Sequence, residues 1–71
     1  MMNSIELKVQ MTRKGKSAEQ LCAALGISKS AWYRKTGGDS QFTQGEIMDL
    51  RRELELDDRQ TALIFFDEEV S

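Results

Sequence analysis

The chain has 71 residues, with ten Lys or Arg against twelve Asp or Glu, a formal net charge of −2, no histidine, no proline and one cysteine. That length holds one small domain, residues 1–71, whose marginal core can gain from a partner chain. A lone cysteine excludes an internal disulfide, the missing histidines remove the commonest metal ligand and general base, and the longest apolar cluster, 62–66, falls far short of the roughly 18–20 residues that cross a bilayer.

In chain order, residues 1–3 read as a frayed end. Over 4–14, Ile5, Leu7, Val9 and Met11 alternate as in a strand, while Leu7 with Met11 and Ile5 with Val9 also share helix faces. A lone strand would find no partner elsewhere in the chain, so a helix is expected. Gly15 ends it, with Arg13, Lys14 and Lys16 at its carboxyl end, where cations suit the helix dipole or a phosphate. Ser17 and Gln20 have the spacing of a capping box. Leu21, Ala24 and Leu25 then recur at helical spacing, with Cys22 beside them, which predicts a helix over 18–25. Gly26 is the stop, in a conformation of positive φ. Ile27 should plug the angle that follows, and Ser28 should cap a further helix over 29–36. Trp32 falls on the inner face of that helix; Lys29, Ser30, Tyr33 and Arg34 fall outside. Two helices joined through a glycine turn, the second with an outward polar and basic face, make the pattern of a DNA-binding helix-turn-helix.

Gly37 and Gly38 open a loop that runs to Phe42, an apolar staple for the next helix. Thr43 and Glu46 form a second capping box. Ile47, Met48, Leu50 and Leu54 should be the inner side of helix four, with Arg51, Arg52, Glu53 and Glu55 solvated. Leu56 leads into a turn, and Asp57 with Gln60 starts helix five, 58–66, apolar nearly all round at Leu63, Ile64, Phe65 and Phe66. Asp67, Glu68 and Glu69 form an acidic tail.

Charge is uneven along the chain. Residues 8–35 hold seven basic residues and one acid, a balance of +6, whereas 39–71 hold ten acids and three arginines, a balance of −7. Halves of opposite sign predict one face for a polyanion, another turned away from it, and an affinity that falls steeply with salt.

Chemistry of the enzymatic kind is not expected. The paired carboxylates sit near helix ends, no phosphate-cradling glycine motif occurs, and Cys22 has apolar neighbours and no base to activate it. No metal, cofactor, membrane or small-molecule substrate is predicted, and the compartment expected is the cytoplasm.

LCAALGISKSAWYRK resembles the helix-turn-helix of Cro and phage-repressor type regulators. The similarity runs on through GGDSQFTQGEIMDLRRELEL to the terminal IFF, as in small prophage-encoded regulators, and covers residues 7–66. Cys22 stands where the family usually has alanine, and Trp32 where it has a smaller aliphatic. The resemblance implies an all-α, lambda-repressor-like domain of about five short helices that binds double-stranded DNA by sequence and regulates transcription. By that resemblance Lys29, Ser30 and Arg34 occupy base-contacting positions; Tyr33 can touch a thymine methyl or a phosphate. Phosphate candidates are Ser17, Gln20, Ser28, Lys35, Ser40, Gln41 and Thr43. Such operators are usually read by dimers, with half-sites about 34 Å apart. The candidate homodimer surface is Leu63, Ile64, Phe65 and Phe66, with Leu63 and Phe66 expected to differ in fate from Ile64 and Phe65. Two alternatives stand beside this reading. One is a protein-interaction module that docks through helix 58–66 or the acidic tail; the other is single-strand or RNA binding, with Tyr33 for stacking.

Overall fold

The computed structural model of this chain describes residues 2–66; the acidic tail lies outside them. Among the described residues there are five helices and no strand: α1 Ser4–Lys14, α2 Ala18–Leu25, α3 Lys29–Thr36, α4 Gln44–Glu53 and α5 Asp58–Thr61, which runs on as a π-helical stretch, Ala62–Phe66. The fold is the all-α bundle that the periodicity predicts. None of these helices is long and apolar enough to cross a membrane.

Each helix starts where a side chain accepts amide hydrogens that the first turn leaves free. Ser28 Oγ accepts the Ala31 N–H at 3.1 Å. Ser17 with Gln20, Thr43 with Glu46 and Asp57 with Gln60 form reciprocal capping boxes, side chain to backbone in both directions. Asn3 caps α1 by accepting the Glu6 N–H at 3.0 Å, and its own N–H donates to the Ile64 carbonyl at 2.6 Å. The frayed start expected over 1–3 is therefore corrected at Met2 and Asn3. The chain's beginning is tied to its last helix, and Met2 packs on the core.

The core is built from Leu7, Leu21, Cys22, Trp32, Phe42, Leu50, Leu54, Leu56 and Ile64, so every helix contributes or adjoins it. α2 packs against α3 and α4, and α1 against the π-helical stretch. Trp32 meets Phe42 edge-on at 5.6 Å between centroids, and Phe42 meets Phe65 likewise at 5.9 Å. Edge-to-face pairs add about 0.5–1.5 kcal/mol each beyond the area they bury.

Several apolar positions are not where the sequence pattern puts them. Ala24 is exposed, and Met48 is 58% exposed. α4 turns Ile47, Leu50 and Leu54 inward; Met48 lies about 100° round from Ile47, on the side away from Leu50. On α1, Leu7 and Met11 face the core together with Gln10, while Ile5 and Val9 are exposed. Gln10 is buried without loss because its Nε2 donates to Glu6 Oε1 at 3.1 Å.

The turn between α2 and α3 depends on Gly26 at φ +71°, where the Ile27 N–H reaches back to the Cys22 carbonyl at 3.1 Å. A Cβ added at Gly26 would meet nothing within 4 Å, so only backbone conformation resists a side chain. Glu55, at φ 51°, carries the same strain after α4 without a glycine's freedom. Gly26→Ala should therefore destabilise the fold by about 1 kcal/mol, and Gly26→Val by more. Glu55→Gly should stabilise it by about 0.5–1 kcal/mol. Urea unfolding midpoints check both signs. A Gly26→Val protein that unfolds with the parent would mean that the turn bears no such strain.

Candidate nucleic-acid interface

Lys29, Ser30, Tyr33 and Arg34 are all exposed, Tyr33 by 61%. Their spacing, i, i+1, i+4 and i+5, puts them on one side of α3. The opposite side is held by Trp32, which is only 3% exposed. After α3 the chain folds back on it: the Arg34 carbonyl accepts the N–H groups of Asp39 and Ser40 at 2.9 and 3.2 Å. The structure thus brings together the four base-reading candidates, and leaves the Arg34 side chain without an ion pair among the described residues.

The phosphate candidates fare differently. Ser17 and Gln20 serve each other's backbone N–H groups, at 3.2 and 2.8 Å, and Ser28 Oγ serves Ala31. Thr43 is engaged twice: its Oγ1 accepts the Glu46 N–H at 3.1 Å, and its N–H donates to Glu46 Oε1 at 2.8 Å. A carboxylate already occupies the amino end of α4, where an anion would have docked. Lys35 is not available either. Its ammonium lies 2.8 Å from Glu46 Oε1, donates to the Gln41 carbonyl at 3.3 Å, and sits 5.7 Å above the Phe42 ring. Of the seven, Ser40 and Gln41 are exposed with side chains unengaged among the described residues.

The charge division along the sequence is not a division in space. Lys14 pairs with Glu55, Lys16 with Glu53, and Lys35 with Glu46, each joining the basic segment to the acidic one. Lys29 pairs with Glu19 at 2.7 Å, across the first turns of α3 and α2. Arg51 pairs with Asp58 and Arg52 with Asp49. Of the seven cations in 8–35, only Lys8, Arg13 and Arg34 have no ion pair among the described residues. The expected broad basic face is replaced by a few free cations.

Two acids at this surface escape sequence reasoning in their second role. Glu46 is legible as a cap, but not as the partner of Lys35. Burial works against ionising Glu46, yet the Lys35 ammonium and the Thr43 amide outweigh it, and its carboxyl titrates below the ordinary range. Glu19 is likewise lowered, chiefly by its hydrogen bond to Lys29, and Lys29 is raised by the same bond.

Helix five divides its apolar quartet. Ile64 is fully buried and so cannot belong to a surface between copies; Leu63 and Phe65 are both half-buried, Phe65 against the Phe42 ring, and Phe66 is 58% exposed. Beside Phe66 a cleft of about 340 Å³ opens among Met2, Lys35, Phe42, Ile47 and Phe65. Among the described residues no group of three or more His, Cys, Asp or Glu could hold a metal ion. Comparison of the chain with protein-family models, curated proteins and solved structures finds no match.

Because its carboxyl titrates low in the fold, Glu46 contributes stability above the ordinary glutamate value of about 4.3, and that contribution is lost as pH falls through the folded value. Glu46→Gln keeps an acceptor for the Thr43 N–H but not the charge. It should cost about 1 kcal/mol at pH 7, and the gap from the parent should narrow at pH 3. Chemical unfolding at the two pH values reads this; a gap that does not narrow would remove the ion pair from the account.

Proposed function

We propose that this protein binds double-stranded DNA by sequence, laying α3 in the major groove, and acts as a cytoplasmic transcriptional regulator of the Cro and phage-repressor type. One observation carries the reading: Lys29, Ser30, Tyr33 and Arg34 are exposed together on one short helix whose other face is fixed in the core by Trp32. Side chains on a rigid helix can meet base edges in a set register. Arg34 is the strongest reader, since a free guanidinium can bond to guanine O6 and N7 together. Ser30 can donate or accept, and Tyr33 supplies an apolar edge for a thymine methyl. Ser40 and Gln41, on the loop after α3, are phosphate contacts with unengaged side chains, and the exposed Ser17, Ser28 and Thr43 hydroxyls and the Gln20 amide nitrogen keep donors for others.

The ion pairs revise the electrostatics of this reading. A chain of net charge −2 with four of its seven amino-terminal-half cations paired makes few phosphate contacts, so its affinity falls with salt by the slope of a few counterions rather than seven. One module reads few bases, and a homodimer through Leu63 and Phe66 would supply the second half-site. The exposed Phe66 also supports a second reading, a protein-interaction module that docks at the end of helix five. Failure to bind any plain duplex at low salt would favour that module.

Selection of bound sites from a random duplex library tests the proposal directly. Against the site so found, Arg34→Ala should weaken binding by about 1–3 kcal/mol and relax the preference at one base position, with random duplex bound nearly as before. Equal losses on selected and random DNA would move Arg34 to a phosphate role.

A further inference from the structure

Glu19 stands on the first turn of α2 and Lys29 on the first turn of α3, and their charged groups meet at 2.7 Å in solvent. Both side chains are more than half exposed, and an exposed pair of this kind adds little to folding stability. Neither helix needs it to start, because Ser17 and Ser28 cap them. The pair's consequence is directional: it aims the lysine.

An ammonium has three N–H donors, and one is spent on Glu19. Two remain, and guanine offers two acceptors, N7 and O6, on its major-groove edge. A phosphate that approaches the same ammonium meets the Glu19 carboxylate beside it, and like charges repel. Unpaired, a lysine is a mobile point charge on a flexible stem, well suited to phosphate.

Resting on the duplex-reading proposal above, we infer that Glu19 is a specificity-determining residue: it holds Lys29 for a guanine edge and withholds it from the DNA backbone. Glu19 acts through Lys29 and is a positioning residue. The operator then carries a guanine read by Lys29, at a position distinct from the one read by Arg34. The Glu19 carboxyl, exposed to solvent, is charged at neutral pH, as this role requires.

The test compares parent, Glu19→Ala, Glu19→Gln and Lys29→Ala by site selection from a random duplex library and by salt titration of affinity. Melting by circular dichroism should find all four equally folded, since the pair is exposed. Lys29→Ala should erase one guanine preference with little change in salt slope. Glu19→Ala should relax that same preference about tenfold, raise affinity for random duplex, and steepen the salt slope by about one. Glu19→Gln keeps an acceptor without the charge, so it should raise random-duplex affinity while retaining part of the guanine preference. A parent that selects sites, with Glu19→Ala unchanged in base preference and slope, would overturn the role of Glu19 and leave the DNA reading standing. A parent that binds no duplex at low salt would overturn both.

Discussion

The contact on which the rest depends is the edge-on packing of Trp32 against Phe42, continued by Phe42 against Phe65. These three rings come from α3, from the loop before α4, and from the end of helix five. α3 has eight residues, too few to be stable in water by propensity alone. Burying Trp32 supplies what the backbone does not, and it settles which side of α3 faces outward. Lys29, Ser30, Tyr33 and Arg34 are presented together because the indole is not. The Asn3 N–H to Ile64 carbonyl bond then fastens α1 to the same end of helix five.

Lys35 and Glu46 work on this arrangement from its edge. The lysine stem runs beside Phe42, and its ammonium joins the end of α3 to the start of α4. Only 15% of each side chain is exposed, so the pair is screened less than the others and restrains the angle between those helices. A cation that looks from its place in the chain like a phosphate contact is part of the scaffold. Lys14 and Lys16 also reach acids at the end of α4, Glu55 and Glu53, in longer and more exposed pairs that add little to stability. Three of the seven cations in 8–35 bind acids of the carboxyl-terminal half, and a fourth, Lys29, binds Glu19. The cations of that segment left without an ion pair among the described residues are Lys8, Arg13 and Arg34.

Cys22 and Gln10 are two residues whose chemistry is absorbed by packing. Cys22 is buried beside Leu21 in α2, with its Sγ 3.9 Å from the Ser28 carbonyl at the head of α3. It acts there as a small apolar side chain, which its neighbours in sequence suggest. Gln10 shares the inward face of α1 with Leu7, a place no hydrophobic pattern assigns to an amide, and Glu6 one turn earlier makes it tolerable.

The sequence by itself determined where helices begin and end. Ser17 with Gln20, Thr43 with Glu46, Asp57 with Gln60, and Gly15 and Gly26 after their helices all act within three or four residues, and local chemistry is readable along the chain. It also determined that Trp32 is inside and that the polar residues of α3 are outside, since one helical period decides both. The tertiary structure decided what depends on contacts between distant residues. Lys14 meets Glu55 across 41 positions, and Lys35 meets Glu46 across 11. Nothing in the periodicity of either segment encodes such pairs. Apolar residues such as Met48, Ile5 and Ile64 are chosen for surface or core by the shape of the neighbouring helices, because a helix five that is apolar nearly all round can bury only the side its partners reach. Local hydrogen bonds wrote the helices into the sequence; the fate of each charge and of each surplus apolar side chain waited for the fold to bring its neighbours together.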